Sequence, residues 1–218
     1  MAVLVLRLSG PFQSWGTSLK LKDHETDTMP SKSGVLGIIA AAFGRRRNAD
    51  ISDLRELRFG VRGDNPGSIM RDFQTSHIWV FDDRGRAYAK KEDSYIGNRY
   101  YLQDACFTVG LEGDKCFLEK CAEALKHPVF PPYLGRRSCI PDPGMVLGIF
   151  DGDLEGVLRE IPDQSNRKKN GFMRICVESN DIGDRMRHDN PISYNYHNRM
   201  YSYRMEKELQ IGVEDVHQ

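Results

Sequence analysis

An α+β chain is the fold class the sequence predicts, and three observations carry it. Short apolar strand-like runs recur from residues 3–8 to residues 171–178. Helix-opening signals stand only at Ser31, Asp114 and Asp153. The order is β-α-β, then strands, then α and β again, which is too irregular for a doubly wound sheet and fits a split β-α-β, ferredoxin-like core with insertions. The 218 residues suffice for one domain, 1–218, with a real core. A hydrophobic share of 39% and a charged share of 28% place the chain among globular proteins rather than disordered ones.

The elements follow in order. Residues 3–8 are β-rich and stop at Ser9-Gly10-Pro11. The stretch is too short for a signal segment and lacks its basic flank, so it reads as a first strand. No apolar run approaches the roughly 18 residues of a membrane span, so a cytoplasmic protein without a membrane partner is expected. Residues 11–16, Pro-Phe-Gln-Ser-Trp-Gly, form a turn with two aromatics, and 17–30 are polar and irregular. A helix opens at Pro30-Ser31, with Val35, Leu36, Ile38, Ile39 and Phe43 as its apolar face and Gly44 as its stop. Arg45-Arg46-Arg47 then complements the helix C-terminus.

Residues 57–62 alternate as a half-buried strand, and 64–67 form a turn. Two extended stretches, 68–81 and 100–111, flank a polar excursion over 82–98, the pattern of a protruding hairpin. Asp114 caps a second helix with a Phe117, Leu118, Cys121, Leu125 stripe. Residues 128–144 form a stiff, proline-rich loop around Tyr133-Leu134-Gly135-Arg136-Arg137. A short strand (145–150), a short helix (153–161), a hydrophilic loop (164–170) and a late strand (171–178) follow.

Lys plus Arg and Asp plus Glu balance at 31 each, so any nucleic-acid site must come from local clustering. One cluster is C-terminal. Arg185, Arg187, His188, His197, Arg199 and Arg204 interleave with Tyr194, Tyr196, Tyr201 and Tyr203. Single-stranded RNA is held by stacked bases and Arg-paired phosphates, and this segment offers both. A final strand with half-buried tyrosines and solvated arginines would have the same composition. Arg136 and Arg137 on a stiff backbone suit bidentate phosphate contact, or form an ordinary charged loop. Lys32 and Ser33 at a helix N-terminus suit an anion. The Walker spacing is absent, which excludes a nucleotide triphosphate role on that ground.

Cys106, Cys116, Cys121, Cys139 and Cys176 form no C-x-x-C pair, so free thiols in a reducing compartment are expected rather than zinc or disulfides. No G-x-S-x-G or H-E-x-x-H occurs. His24, His77, His188 and His197 could move protons in a metal-independent ribonuclease, but Tyr and Lys helpers are too abundant to single one out.

Several segments together resemble the CRISPR-associated RAMP proteins that cap the 5′ handle of the guide RNA. They are 6–16 (Leu-Arg-Leu-Ser-Gly-Pro-Phe-Gln-Ser-Trp-Gly), 30–37 (Pro-Ser-Lys-Ser-Gly-Val-Leu-Gly), 71–75 (Arg-Asp-Phe-Gln-Thr), 99–109 (Arg-Tyr-Tyr-Leu-Gln-Asp-Ala-Cys-Phe-Thr-Val) and 132–139 (Pro-Tyr-Leu-Gly-Arg-Arg-Ser-Cys). The resemblance spans about 3–140, and more loosely 171–209 through Asp189-Asn190-Pro191-Ile192-Ser193. It departs from the type I-E pattern at 82–98 and 194–203. It implies a RAMP (RRM-related) domain with a thumb hairpin at about 76–100, while the basic, aromatic strand region at about 185–209 is read from composition. It carries RNA contact onto Lys32, Ser33, Arg71, Arg99, Arg136 and Arg137. Arg45, Arg46, Tyr101, Arg187, Tyr194 and Arg199 join them as candidate RNA-binding residues from local clustering. Implied partners are crRNA, the Cascade backbone RAMP subunits and the large PAM-reading subunit, with target DNA nearby. No cofactor is implied. In the type I-E branch this subunit binds without cutting. In the type I-C branch it is the guide-processing ribonuclease. The chain is more similar to the first.

Overall fold

The computed structural model describes residues 1–16, 23–165, 172–181 and 185–212. Strand β1 (Ala2–Ser9) leads through β2 (Phe12–Gln13) and β3 (Asp23–His24) to helix α1 (Lys32–Ala42), then α2 (Ser52–Arg55) and β4 (Arg58–Asn65). Strands β5 (Ser68–Phe81) and β6 (Ala87–Gln103) precede β7 (Cys106–Gly113), α3 (Lys115–Lys126), β8 (Val146–Asp151), α4 (Leu154–Glu160), β9 (Phe172–Ser179), β10 (Arg185–Ser193) and β11 (Met200–Gly212).

The main sheet has seven strands in the order β10-β11-β9-β4-β7-β1-β8. β7 runs antiparallel to both β1 and β4, so those two are parallel and flank it. This is the split β-α-β expected from the element order, with α1 as its crossover and β8 closing the ferredoxin-like core beside β1. β1 is buried on both faces, and alternation divides its side chains. Leu4, Leu6 and Leu8 join the core with α1 and α3, while Val3 and Val5 join the core with Leu154, Val157 and Leu158 of α4.

The helix boundaries follow their capping chemistry. The Ser31 hydroxyl accepts from the Gly34 amide, and Asp114 and Asp153 cap α3 and α4 in the same way. α2 was not expected: four residues with no side-chain cap bond leave little sequence signal.

Two strand expectations change. The single strand expected over 100–111 is two, because Asp104 takes a positive φ of 55° and turns the chain between β6 and β7. The Asp104 carbonyl accepts from the Asn65 amide, which fixes that corner. The expected excursion over 82–98 is largely strand. β5 and β6 pair from Ser68↔Gln103 to Phe81↔Ala87, and the turn is confined to 82–86. Asp82 closes that turn by accepting from the Arg84 and Arg86 amides. The segment is polar because it projects, not because it is irregular. Residues 166–171 of the expected loop and late strand lie outside the described residues.

One ion pair fastens α4 across the sheet. Arg62 and Asp64 are both fully buried, 2.6 Å apart. The Arg62 guanidinium also donates to the carbonyls of Leu158, Ile161 and Pro162, and Asp64 accepts from Thr108 and from the Gln164 amide. Removing one partner strands the other charge. Arg62→Met is therefore expected to cost about 3–5 kcal/mol, read from the urea unfolding midpoint. The cysteines supply a second test. Cys106, Cys121, Cys139 and Cys176 are buried and Cys116 is exposed. Burial pushes the Cys121 thiol up to about 12 and that of Cys176 to about 11. An alkylating reagent at pH 8 should label Cys116 alone in the native protein and all five cysteines after unfolding.

Candidate nucleic-acid interface

Segment 12–15 positions the surface. Phe12 and Gln13 pair with Gln103 and Leu102 at the foot of the hairpin. The buried Gln13 amide donates to the carbonyls of Leu8 (3.0 Å) and Ala105 (2.8 Å) and accepts from the Trp15 indole (3.0 Å). Trp15 in turn lies against the first turn of α1. A Cβ at Gly34 would stand 2.8 Å from its ring, so only glycine permits that approach.

The proline-rich loop is held to the same segment. Ser14 donates its amide to Leu134, and Gly135 sits at φ +87° with its Cα against the Ser14 carbonyl, where a Cβ would fall 1.7 Å from the oxygen. Ser9 and Asp142 exchange a backbone and a side-chain bond, and Arg7 donates to the Pro143 carbonyl. The loop thus presents Arg136 with its guanidinium 4.8 Å over the Tyr101 ring, which lies 5.9 Å from Phe12. Arg99, two residues before Tyr101 on β6, shares its face and is exposed, as is Arg137. Arg136 and Tyr101, from two distant segments, therefore meet at the hairpin base, with Arg99 on the face of Tyr101 and Arg137 next to Arg136 in the loop. Arg71 pairs with Tyr100 and lies on the opposite face of the hairpin. There a cleft of about 270 Å³ opens between Glu25, Thr26, Ile69 and Tyr100.

Five other candidates are spent on structure. Lys32 is 1% exposed, and its ammonium sits 2.8 Å from Glu178. Burial lowers its pKa, and Glu178 opposes that shift. The anion expected at this helix N-terminus is the protein's own: Asp189 accepts the Lys32 amide at 2.9 Å. Ser33 gives its carbonyl to the Tyr194 hydroxyl, whose pKa is raised by burial. Arg187 is paired with Asp27 at 2.7 Å. Arg45 grips both oxygens of Asp53 in α2, which raises its pKa. These positions make internal contacts: Lys32, Arg45 and Arg187 hold the counter-charges that a buried or half-buried cation needs, and Ser33 and Tyr194 share a hydrogen bond. Arg46 remains exposed beyond α1, and Arg199 is exposed with its guanidinium 5.8 Å over Tyr201.

The sequence reading also missed a stripe on the hairpin. Ile69, Phe73, Trp79, Phe81 and Ile96 are all more than half exposed. On β5 they occupy odd positions, and Ile96 pairs with Thr75 of the same face. The stripe is hard to read in sequence, because Arg71, Thr75 and His77 interrupt its odd positions and 78–81 is a continuous apolar run.

Comparison with known proteins agrees with this architecture. A CRISPR system Cascade subunit, CasD of Escherichia coli (strain K12), is 35% identical over 151 residues, which is 62% of this chain and 66% of that protein. A chain of a solved CRISPR RNA-guided surveillance complex superposes with a TM-score of 0.82 at 32% identity, covering 98% of this chain and 92% of that one. A crystal structure of a Cas protein matches at TM-score 0.77 and 34% identity, over 98% of this chain and 97% of that one. A family model for the CRISPR-associated protein Cas5 matches residues 3–207, from β1 into β11, and the chain belongs to that family.

Proposed function

We propose that this chain is a non-catalytic subunit of a type I CRISPR surveillance complex that holds the 5′ handle of the guide RNA. The observation that carries the reading is the Arg136–Tyr101 stack, made by a loop that Gly135 and Ser14 lock against the hairpin base. The names of the relatives, a Cascade subunit and an RNA-guided surveillance complex, point the same way.

The roles follow from the geometry. Arg99, Arg136 and Arg137 neutralise handle phosphates, and Arg guanidiniums do so with two parallel bonds where geometry allows. Tyr101 is buried beneath Arg136, so the surface it supports is the guanidinium plane, on which a splayed base can stack. The hairpin acts as the thumb, touching the guide and the adjoining backbone RAMP subunit through its exposed stripe. The large PAM-reading subunit and target DNA lie nearby in the assembled particle.

Arg136→Glu with Arg137→Glu should reduce retention of labelled repeat RNA at least tenfold. It should also flatten the plot of log affinity against log salt by about two, one for each lost phosphate contact. Unchanged retention would sink the handle assignment. Gly135→Ala keeps both arginines but displaces their loop, so it should lower retention as well.

Cutting is tested separately. Pure protein in EDTA should leave repeat RNA intact. Cleavage at a fixed position that disappears in His77→Ala or His24→Ala would replace this reading with that of a metal-independent endoribonuclease.

A further inference from the structure

The far edge of the main sheet carries a second cluster that the handle reading leaves unused. The His188 and Tyr203 rings stand 4.5 Å apart at 33°, and Tyr201 meets His188 edge-on at 6.0 Å. Arg199 lies 5.8 Å over Tyr201, and Arg47 is near enough to act on the Tyr201 hydroxyl electrostatically. His188, Arg199 and Arg47 are exposed, and Tyr203 is 61% exposed.

Two of the three acids of these strands, Asp189 and Glu206, turn the other way, and the third, Glu208, is exposed farther along β11 beside Arg174 and Arg185. Asp189 is 1% exposed, bound to Arg204 and to the Lys32 amide, and Glu206 is 4% exposed against Arg204. The charged side chains beside the rings are those of Arg199 and Arg47. That combination suits a strand of flat bases on a phosphate backbone. β11 stands four strands from β1 in the sheet, so the cluster is roughly 20 Å from the arginine loop beside β1 at the usual strand spacing. A different stretch of strand must reach it.

We propose that His188, Tyr201 and Tyr203, flanked by Arg47 and Arg199, are a stacking platform for single-stranded nucleic acid outside the 5′ handle. The proposal rests on the preceding reading only for the presence of such a strand. Its source is either the guide beyond its handle or a strand of opened target DNA.

The test assembles the complex with a His188→Ala, Tyr203→Ala chain and measures two quantities by gel shift: retention of labelled guide RNA, and binding of complementary single-stranded target DNA. Loss of one base–aromatic stack should weaken one of them about tenfold, and Tyr203→Phe, which keeps the ring, should restore it. Guide loss assigns the platform to RNA. Target loss with the guide retained assigns it to DNA. Should the double variant unfold, Arg199→Glu gives the same reading from the rim.

Unchanged binding of both overturns the platform. So does a missing protein subunit with nucleic-acid binding intact, which would make the cluster a protein interface. The Arg136→Glu, Arg137→Glu complex is run alongside. If it alone loses the guide and the platform variant binds both guide and target normally, the handle reading stands and the platform falls. If only the platform variant loses the guide, the reverse holds.

Discussion

Everything that faces the proposed guide depends on how the chain passes through Phe12, Gln13, Ser14 and Trp15. The Gln13 amide is wholly buried and makes three hydrogen bonds, to Leu8, Ala105 and Trp15. A buried amide left unpaired costs more than its bonds return, so this geometry is tightly specified. Through it, β1, the turn before β7 and the hairpin base share one register. Trp15 then sets where α1 begins, and the Ser14 backbone sets where Arg136 stands. The motif has a structural origin: its apolar and amide groups build the mount, and the arginines of other segments use it.

The charged residues divide the same way. Lys32, Glu178, Asp189, Arg204, Glu206, Arg187 and Asp27 form a seam under β10 and β11. Arg204 also covers Phe59 at 5.1 Å. Its acids hold the sheet edge to the start of α1, since Asp189 bonds both Arg204 and the Lys32 amide. Such a seam is costly to break from one side, because a partner's charge is then stranded in a poorly solvated place.

Most of the fold was legible because it rests on local rules. Ser31, Asp114 and Asp153 announce helices through their caps, and the strands alternate. The break at Asp104 was hidden because a positive φ at one aspartate leaves the apolar pattern of 100–111 intact. The site was half legible. Of the residues onto which the resemblance carries RNA contact, Arg136 stands over Tyr101 and Arg99 shares that face, while Arg71 lies on the other. Lys32 and Arg187 carry the same charge in similarly basic surroundings, yet Lys32 is buried and Arg187 half-buried, each against a carboxylate. Nothing local separates them, because their counter-charges at Glu178 and Asp27 lie 146 and 160 residues away in sequence.

The hairpin shows why such a subunit is suited to an assembly. An isolated two-stranded hairpin is marginal in water. Near its base β6 is supported by β2 and β3, the latter reaching only Asn98 and Arg99. Outward of that point, among the described residues, β6 pairs only with β5. Phe73, Trp79, Phe81 and Ile96 meanwhile leave their side chains in solvent. Apolar surface of that extent on one face is a cost in the free chain and a source of affinity in a complex. The core beneath the sheet does not draw on these side chains, so the domain can fold without a neighbour. Under the proposed function, the outer hairpin gains its burial only when the guide and the next subunit arrive. Folding and assembly are then separate steps, driven by different apolar surfaces of one chain.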